Sequence, residues 1–249
     1  MKTSNRYAWI AVGAFVVPST TAFAQQEGVP NWSITPYIWA PTTTVDLIVR
    51  DTNIGGGDIA FSDLVDSLDA AFILQVEGGK GKWSAFGDLN YLETSDSSSR
   101  TVFTIDVRNK QTFLDAAVAY WPGGVGSPLN IFGGLRYSGF DDRYEFSLTA
   151  NGAPVSTQRS SSDYYDALIG LRYRFDFSDR WSLQTRADTS FGDSEGTFLV
   201  RANFGYIVGQ RQQNRVHFGY QYKQAEFKDG DLVSDFTFHG PMAGFSFVF

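Results

Sequence analysis

The chain has 249 residues, a formal net charge of −7 and no cysteine, with 22 Phe, 12 Tyr and 25 Gly at a mean hydropathy of −0.20. The acidic balance excludes a nucleic-acid surface, which needs a basic face, and the missing cysteines exclude disulfide staples. Beyond the first two dozen residues no apolar run is long enough for a transmembrane helix, whereas so many aromatic residues suit rings that face lipid.

In chain order, the first segment reads as an export signal. Lys2 and Arg6 form a positive start, Ala8 to Val17 is apolar, Pro18 breaks the run, and Ala22-Phe23-Ala24 gives a small-x-small cleavage pattern. Cleavage is expected between Ala24 and Gln25. That leaves a leader over 1–24 and one domain over 25–249, and takes the formal charge from −7 to −9 by loss of Lys2 and Arg6.

The mature part alternates with period two, the mark of strands whose side chains point to opposite faces. Ten runs follow, near 31–41, 69–78, 82–94, 103–121, 129–146, 158–176, 180–191, 197–209, 214–227 and 235–249. The stretches near 42–50 and 95–110 are ambiguous and leave eight or twelve strands as alternatives. In the run from Arg215, Val216, Phe218, Tyr220 and Tyr222 share one face; Arg215, His217, Gly219, Gln221 and Lys223 share the other. One face is ringed and bulky, the other charged and glycine-rich. Such runs match the roughly 9–11 residues that a tilted strand needs to cross hydrocarbon.

The breaks alternate in kind. Residues 78–81, 121–124, 177–180 and 209–212 are turn-like, while 42–68, 95–101, 147–157, 192–196 and 228–234 are expected as longer or more polar loops. Short turns on one side and long loops on the other are the asymmetry of outer-membrane barrels. The expected fold is therefore all-β: a closed antiparallel transmembrane β-barrel with both termini in the periplasm, the first strand pairing with the last. Closure matters because lipid offers no partner to an open strand edge.

In the first outer loop, Phe61, Leu64, Val65 and Leu68 fall at helical spacing and predict a short helix. Just before it, Asp51 to Asp58 has oxygen ligands and glycines like the start of a calcium loop. Ser62 stands where such a loop needs a bidentate Glu, so a plain acidic surface loop is expected, with no metal and no cofactor.

Two sets of residues stand out once the strands are placed. Trp83, Tyr120, Trp121, Trp181, Tyr206 and Phe249 reach the periplasmic ends, where amphipathic rings form an interfacial girdle. Glu77, Asp88, Asp115, Asp166 and Asp188 face inward, with Arg136, Arg172, Arg174, Arg186, Arg201, Arg215, Lys223 and His217. These charges either bridge the lumen and plug it, since buried charges need partners, or line a narrow pore biased toward small anions. Small barrels are usually filled by side chains, which favours the plug.

Enzyme chemistry has little to draw on. His217 and His239 are the sole imidazoles, and Ser234 and Asp235 are merely adjacent in sequence. His239 is expected to anchor at the interface, with no catalytic residue assigned. The remaining possibility is a lipid hydrolase built on His239.

Trp32-x-x-x-Pro36-Tyr37-x-Trp39, Phe61-x-Asp63-Leu64 with Leu68-Asp69, Asp88-x-x-Tyr91-Leu92 and His239-Gly240-Pro241-x-x-Gly244 together resemble a family of proteobacterial outer-membrane barrels. The resemblance spans the mature chain and implies a monomeric barrel, with no assigned substrate to carry over. Phe245, Phe247 and the terminal Phe249 resemble the signal read by the barrel assembly machinery. The expected function is a structural or narrow-channel barrel of the outer membrane, with lipopolysaccharide and the assembly machinery as partners. The alternative is a surface interaction protein acting through 42–68 and 141–160.

Overall fold

The computed structural model describes residues 31–49, 52–99, 103–150, 152–209, 214–229 and 231–249. The leader expected over 1–24, Asp51 and most of the 209–212 turn lie outside them.

Among the described residues, the elements are β1 (Asn31–Trp39), β2 (Thr42–Val49), β3 (Thr52–Ile59), α1 (Phe61–Asp66), β4 (Leu68–Lys80), β5 (Trp83–Ser99) and β6 (Phe103–Tyr120). They continue with β7 (Leu129–Leu148), β8 (Pro154–Asp176), β9 (Trp181–Gly192), β10 (Gly196–Val208), β11 (Asn214–Asp229) and β12 (Leu232–Val248). β1 and β4 to β12 form a closed antiparallel barrel of 10 strands, with β2 and β3 outside that count.

The expected closure is present. β1 pairs with β12 from Ser33↔Val248 to Trp39↔Met242, and Trp32 and Phe249 exchange backbone hydrogen bonds at 3.2 and 2.8 Å. Ala40 N donates to Pro241 O at 2.9 Å, so β2 continues on β12 in the same register, from Thr42↔His239 upward. The opposite edge changes partner. β1 pairs with β4 up to Pro36↔Leu74; above Thr42, β2 pairs with β3 instead. Proline has no N–H to extend the first ladder.

Burial is inverted relative to a soluble protein. On β11, Val216, Phe218 and Tyr220 are 40–50% exposed, while Gln221 and Lys223 on the opposite face are 3–5% exposed. Bulky apolar side chains cover the outside and polar ones fill the inside. Water does not favour that arrangement; lipid does. The chain is a transmembrane β-barrel.

Several expected loops are largely strand. The segment 42–68 contains the β2–β3 hairpin and α1, β5 runs through the expected 95–101 loop as far as Ser99, and β7 and β8 shorten the connection expected over 147–157 to 149–153. The β-branched run Thr42 to Val49 favours a strand. Above the membrane the ladders of β5 to β8 continue, but the alternation fades because both faces of the sheet meet water.

Candidate functional site: a charge layer across the barrel

At mid-height the inward residues of seven strands meet. Arg136 on β7 donates to both oxygens of Asp115 on β6, at 2.7 and 2.8 Å, to Asp188 on β9 at 2.9 Å and to Thr197 on β10 at 2.5 Å. Arg186 on β9 donates to Asp115 and Asp188 at 2.6 Å each and reaches Asp88 on β5 at 3.4 Å. Arg201 on β10 donates to Gln221 at 2.6 Å and reaches Asp88 at 3.3 Å. Tyr37 on β1 donates to Asp88 at 2.7 Å. Arg136–Asp115 and Arg201–Gln221 join neighbouring strands and Arg186–Asp188 stays on one, whereas Arg186 and Arg201 reach β5 and β6 across the lumen. Three arginines face three aspartates, and each has a partner, as buried charge requires.

Asp166 belongs to the same height but has different company. It accepts hydrogen bonds from the hydroxyls of Ser190 at 3.0 Å and Ser194 at 2.6 Å, and from the Ser194 amide at 3.0 Å. Lys223 lies 3.6 Å from the ring centre of Phe113, a cation–π contact that carries its charge against an apolar layer.

That apolar layer, on the extracellular side, was not expected from the sequence. Phe113 packs on Phe140 and Phe238, with ring centres 5.8 and 6.0 Å apart; Phe227 packs on Phe140 and Tyr164 at 5.0 and 4.7 Å; Trp39 stands 6.2 Å from Phe238. A signal was available. Phe113 lies two residues from Asp115, Tyr164 two from Asp166, Phe140 four from Arg136 and Phe227 four from Lys223. Even spacing from an inward charge puts a ring inside the barrel.

On the periplasmic side the lumen opens into a cavity of about 190 Å3. Arg172 spans it from β8 and forms a two-pronged pair with Glu77 on β4, both bonds 2.8 Å. Its guanidinium also sits 4.6 Å from the Phe86 ring. Arg174 leans on Asp176 at 3.1 Å and donates to Gly126 O at 2.6 Å. His217 Nε2 shares a hydrogen bond of 2.7 Å with Ser246, while Arg215 lines the cavity with its Nε unpartnered. Glycine makes room here: a Cβ at Gly205 would press on Ser182 and His217.

Of the expected girdle, Trp83 packs on Tyr120 and Trp181 on Tyr206, with ring centres 5.0 and 4.7 Å apart, and Phe249 is 68% exposed. Trp121 departs from it. It stands at even spacing from the inward Asp115, Ala117 and Ala119, so the alternation that sends Tyr120 outward turns it inward, to donate to Ser84 at 2.9 Å beside Phe86 and Phe132. An upper belt includes Tyr137 against Tyr165, and Tyr220, whose hydroxyl shares a 2.8 Å hydrogen bond with His239 Nδ1. Ser234 falls on the opposite face of β12 from Asp235 and His239, and Asp235 is bonded to Gln224, so the three do not converge. Among the described residues no group of three or more His, Asp or Glu side chains could hold a metal ion.

A closed antiparallel barrel with an apolar exterior and a polar interior belongs to the outer membrane. No family model and no curated protein matches the chain. Among solved structures, it is similar to the outer membrane protease OmpT from Escherichia coli at 10% identity and a TM-score of 0.48, covering 92% of this chain and 99% of that one. It is also similar to Ail, the attachment invasion locus protein of Yersinia pestis, at 10% identity and 0.40, covering 88% and 98%. Outer membrane protein OprG from Pseudomonas aeruginosa aligns at 12% identity and 0.32, covering 90% and 97%. At such scores the likeness has no weight for function.

Proposed function

We propose that the protein is a sealed barrel, structural within the outer membrane and interactive at its outer rim. The observation that carries this is the mid-height layer, in which Arg136, Arg186 and Arg201 tie β7, β9 and β10 to β5, β6 and β9 across the lumen. A narrow channel with a small-anion bias would need this layer to part, leaving several buried charges without partners. Mature protein refolded into a planar bilayer is expected to stay silent at neutral pH, while Arg186→Ala, which removes ties to three acids, admits conductance steps. Steady anion-selective steps from the unaltered protein would sink the sealed reading.

A second reading, contact with lipopolysaccharide, is favoured by one feature of the rim. Arg108, Arg143 and Arg159 stand directly opposite one another across β6, β7 and β8, on the outer face above the Tyr137–Tyr165 pair. Like charges opposite one another repel. Arg143 pairs with Glu145, and Arg108 comes within 3.9 Å of Glu93, which offsets part of that cost. Phosphate groups of lipopolysaccharide, at head-group height, would offset the rest. Purified barrel carrying Arg143→Gln and Arg159→Gln is expected to retain less lipopolysaccharide phosphate per molecule than the unaltered protein. Equal retention would count against this surface.

A further inference from the structure

The periplasmic cavity contains a positive charge that the protein does not fully satisfy. Its wall has five arginines and one glutamate. Glu77 matches Arg172, the mid-height aspartates match Arg186 and Arg201, and Asp176 matches Arg174. That leaves Arg215. Its Nε is buried without a hydrogen-bond partner, and so are His217 Nδ1 and Asn203 Oδ1 on the same wall. Arg215 and His217 on β11 and Asn203 on the adjacent β10 line one cavity, and two of the orphaned atoms, Arg215 Nε and His217 Nδ1, can carry an N–H. Each would cost free energy if nothing met it.

From this we infer that the cavity is a binding site for a phosphate group presented from the periplasm, free or at the end of a small ester. Arg215 supplies the charge and an N–H donor. His217, with Nε2 accepting from Ser246, donates through Nδ1, and Asn203 contributes through its Nδ2 donor. Guanidinium is suited to phosphate oxygens by its planar fork. Arg201 and Arg186 close the cavity toward the membrane centre, so the site is a dead end rather than part of a conduction path. The inference goes beyond the sealed-barrel reading and does not depend on it, because binding is measured without conductance.

The test is calorimetric and thermal titration of the refolded mature barrel with inorganic phosphate and, separately, with glucose 6-phosphate. Saturable binding and a melting temperature that rises with ligand are expected. Affinity should fall roughly tenfold or more in Arg215→Gln, which removes a charged donor. Without ligand, Arg215→Gln should melt no lower than the unaltered protein, because among the described residues no carboxylate pairs directly with Arg215 to offset the burial of its Nε. Should Arg215→Gln fail to give heat-modifiable barrel, Asn203→Asp places a repelling carboxylate on the same wall and is expected to weaken binding likewise. Binding of inorganic phosphate alone identifies the free ion; binding of the ester as well identifies a terminal phosphate. No saturable binding of either at millimolar concentration overturns the inference, as does binding unchanged in a folded variant.

Discussion

Asp115 and Asp166 are both buried, 7% and 1% exposed, yet they hold different partners. Asp115 accepts from two guanidinium groups, so its charge is what keeps Arg136 and Arg186 in place. Asp166 accepts from two hydroxyls and an amide, all neutral. Burial alone would predict the same cost for losing either carboxylate; the partners predict otherwise. Asp115→Asn leaves two arginines short of countercharge and is expected to lower unfolding free energy by about 3–5 kcal/mol. Asp166→Asn keeps an oxygen acceptor among hydroxyls that can rotate, and is expected to cost about 1 kcal/mol. Urea unfolding of the barrel in vesicles measures both. Equal losses would mean that the aspartates act only as hydrogen-bond acceptors and that the charge layer adds nothing.

Strands were legible wherever one face met lipid and the other met the lumen. β11 is the clear case, since its outward rings and inward Gln221 and Lys223 write the period directly into the chain. β3 was not legible: Asn53-Ile54-Gly55-Gly56-Gly57-Asp58 has poor strand propensity, and it becomes a strand because β2 offers it an edge. Only the tips of β7 and β8, inside the expected 147–157 loop, were read as loop for a related reason. Pro154 to Thr157 follow a turn-like stretch and show no alternation, and their extended form comes from the ladder with Glu145 to Ser147 of β7. The inner rings were hidden by their chemistry. A phenylalanine in a membrane strand suggests lipid, and only its spacing from Asp115 or Lys223 places Phe113 or Phe227 inside. Charged lumen residues gave no such conflict, because a charge on the lipid face is too costly to be an alternative. What the sequence could not show was pairing across the barrel. That Arg186 reaches Asp88, 98 residues away, depends on the register of every strand between them.

For the molecule as a whole, closure and the partner change on the β1 edge are one problem. An open edge in lipid leaves backbone groups unsatisfied, and β12 removes it by covering β1 and β2 in a single register from Ser33↔Val248 to Leu232↔Val49. On the other edge β4 stays with β1 only as far as Pro36↔Leu74, so Ile38 and Phe72, which a continued ladder would bring opposite, are not paired. Both are well exposed, at 72% and 52%. Cysteine pairs distinguish the two edges, because residues directly opposite in an antiparallel pair are close enough for a disulfide, at roughly 4.5–5.5 Å between Cα atoms. Ile34→Cys with Phe247→Cys, which face each other across β1 and β12, is expected to crosslink on mild oxidation in intact membranes. Ile38→Cys with Phe72→Cys is expected to stay reduced under the same conditions. Failure of the first pair would mean that the barrel does not close as described, and efficient crosslinking of the second would mean that β4 follows β1 above Pro36, leaving no seam beneath the β2–β3 hairpin.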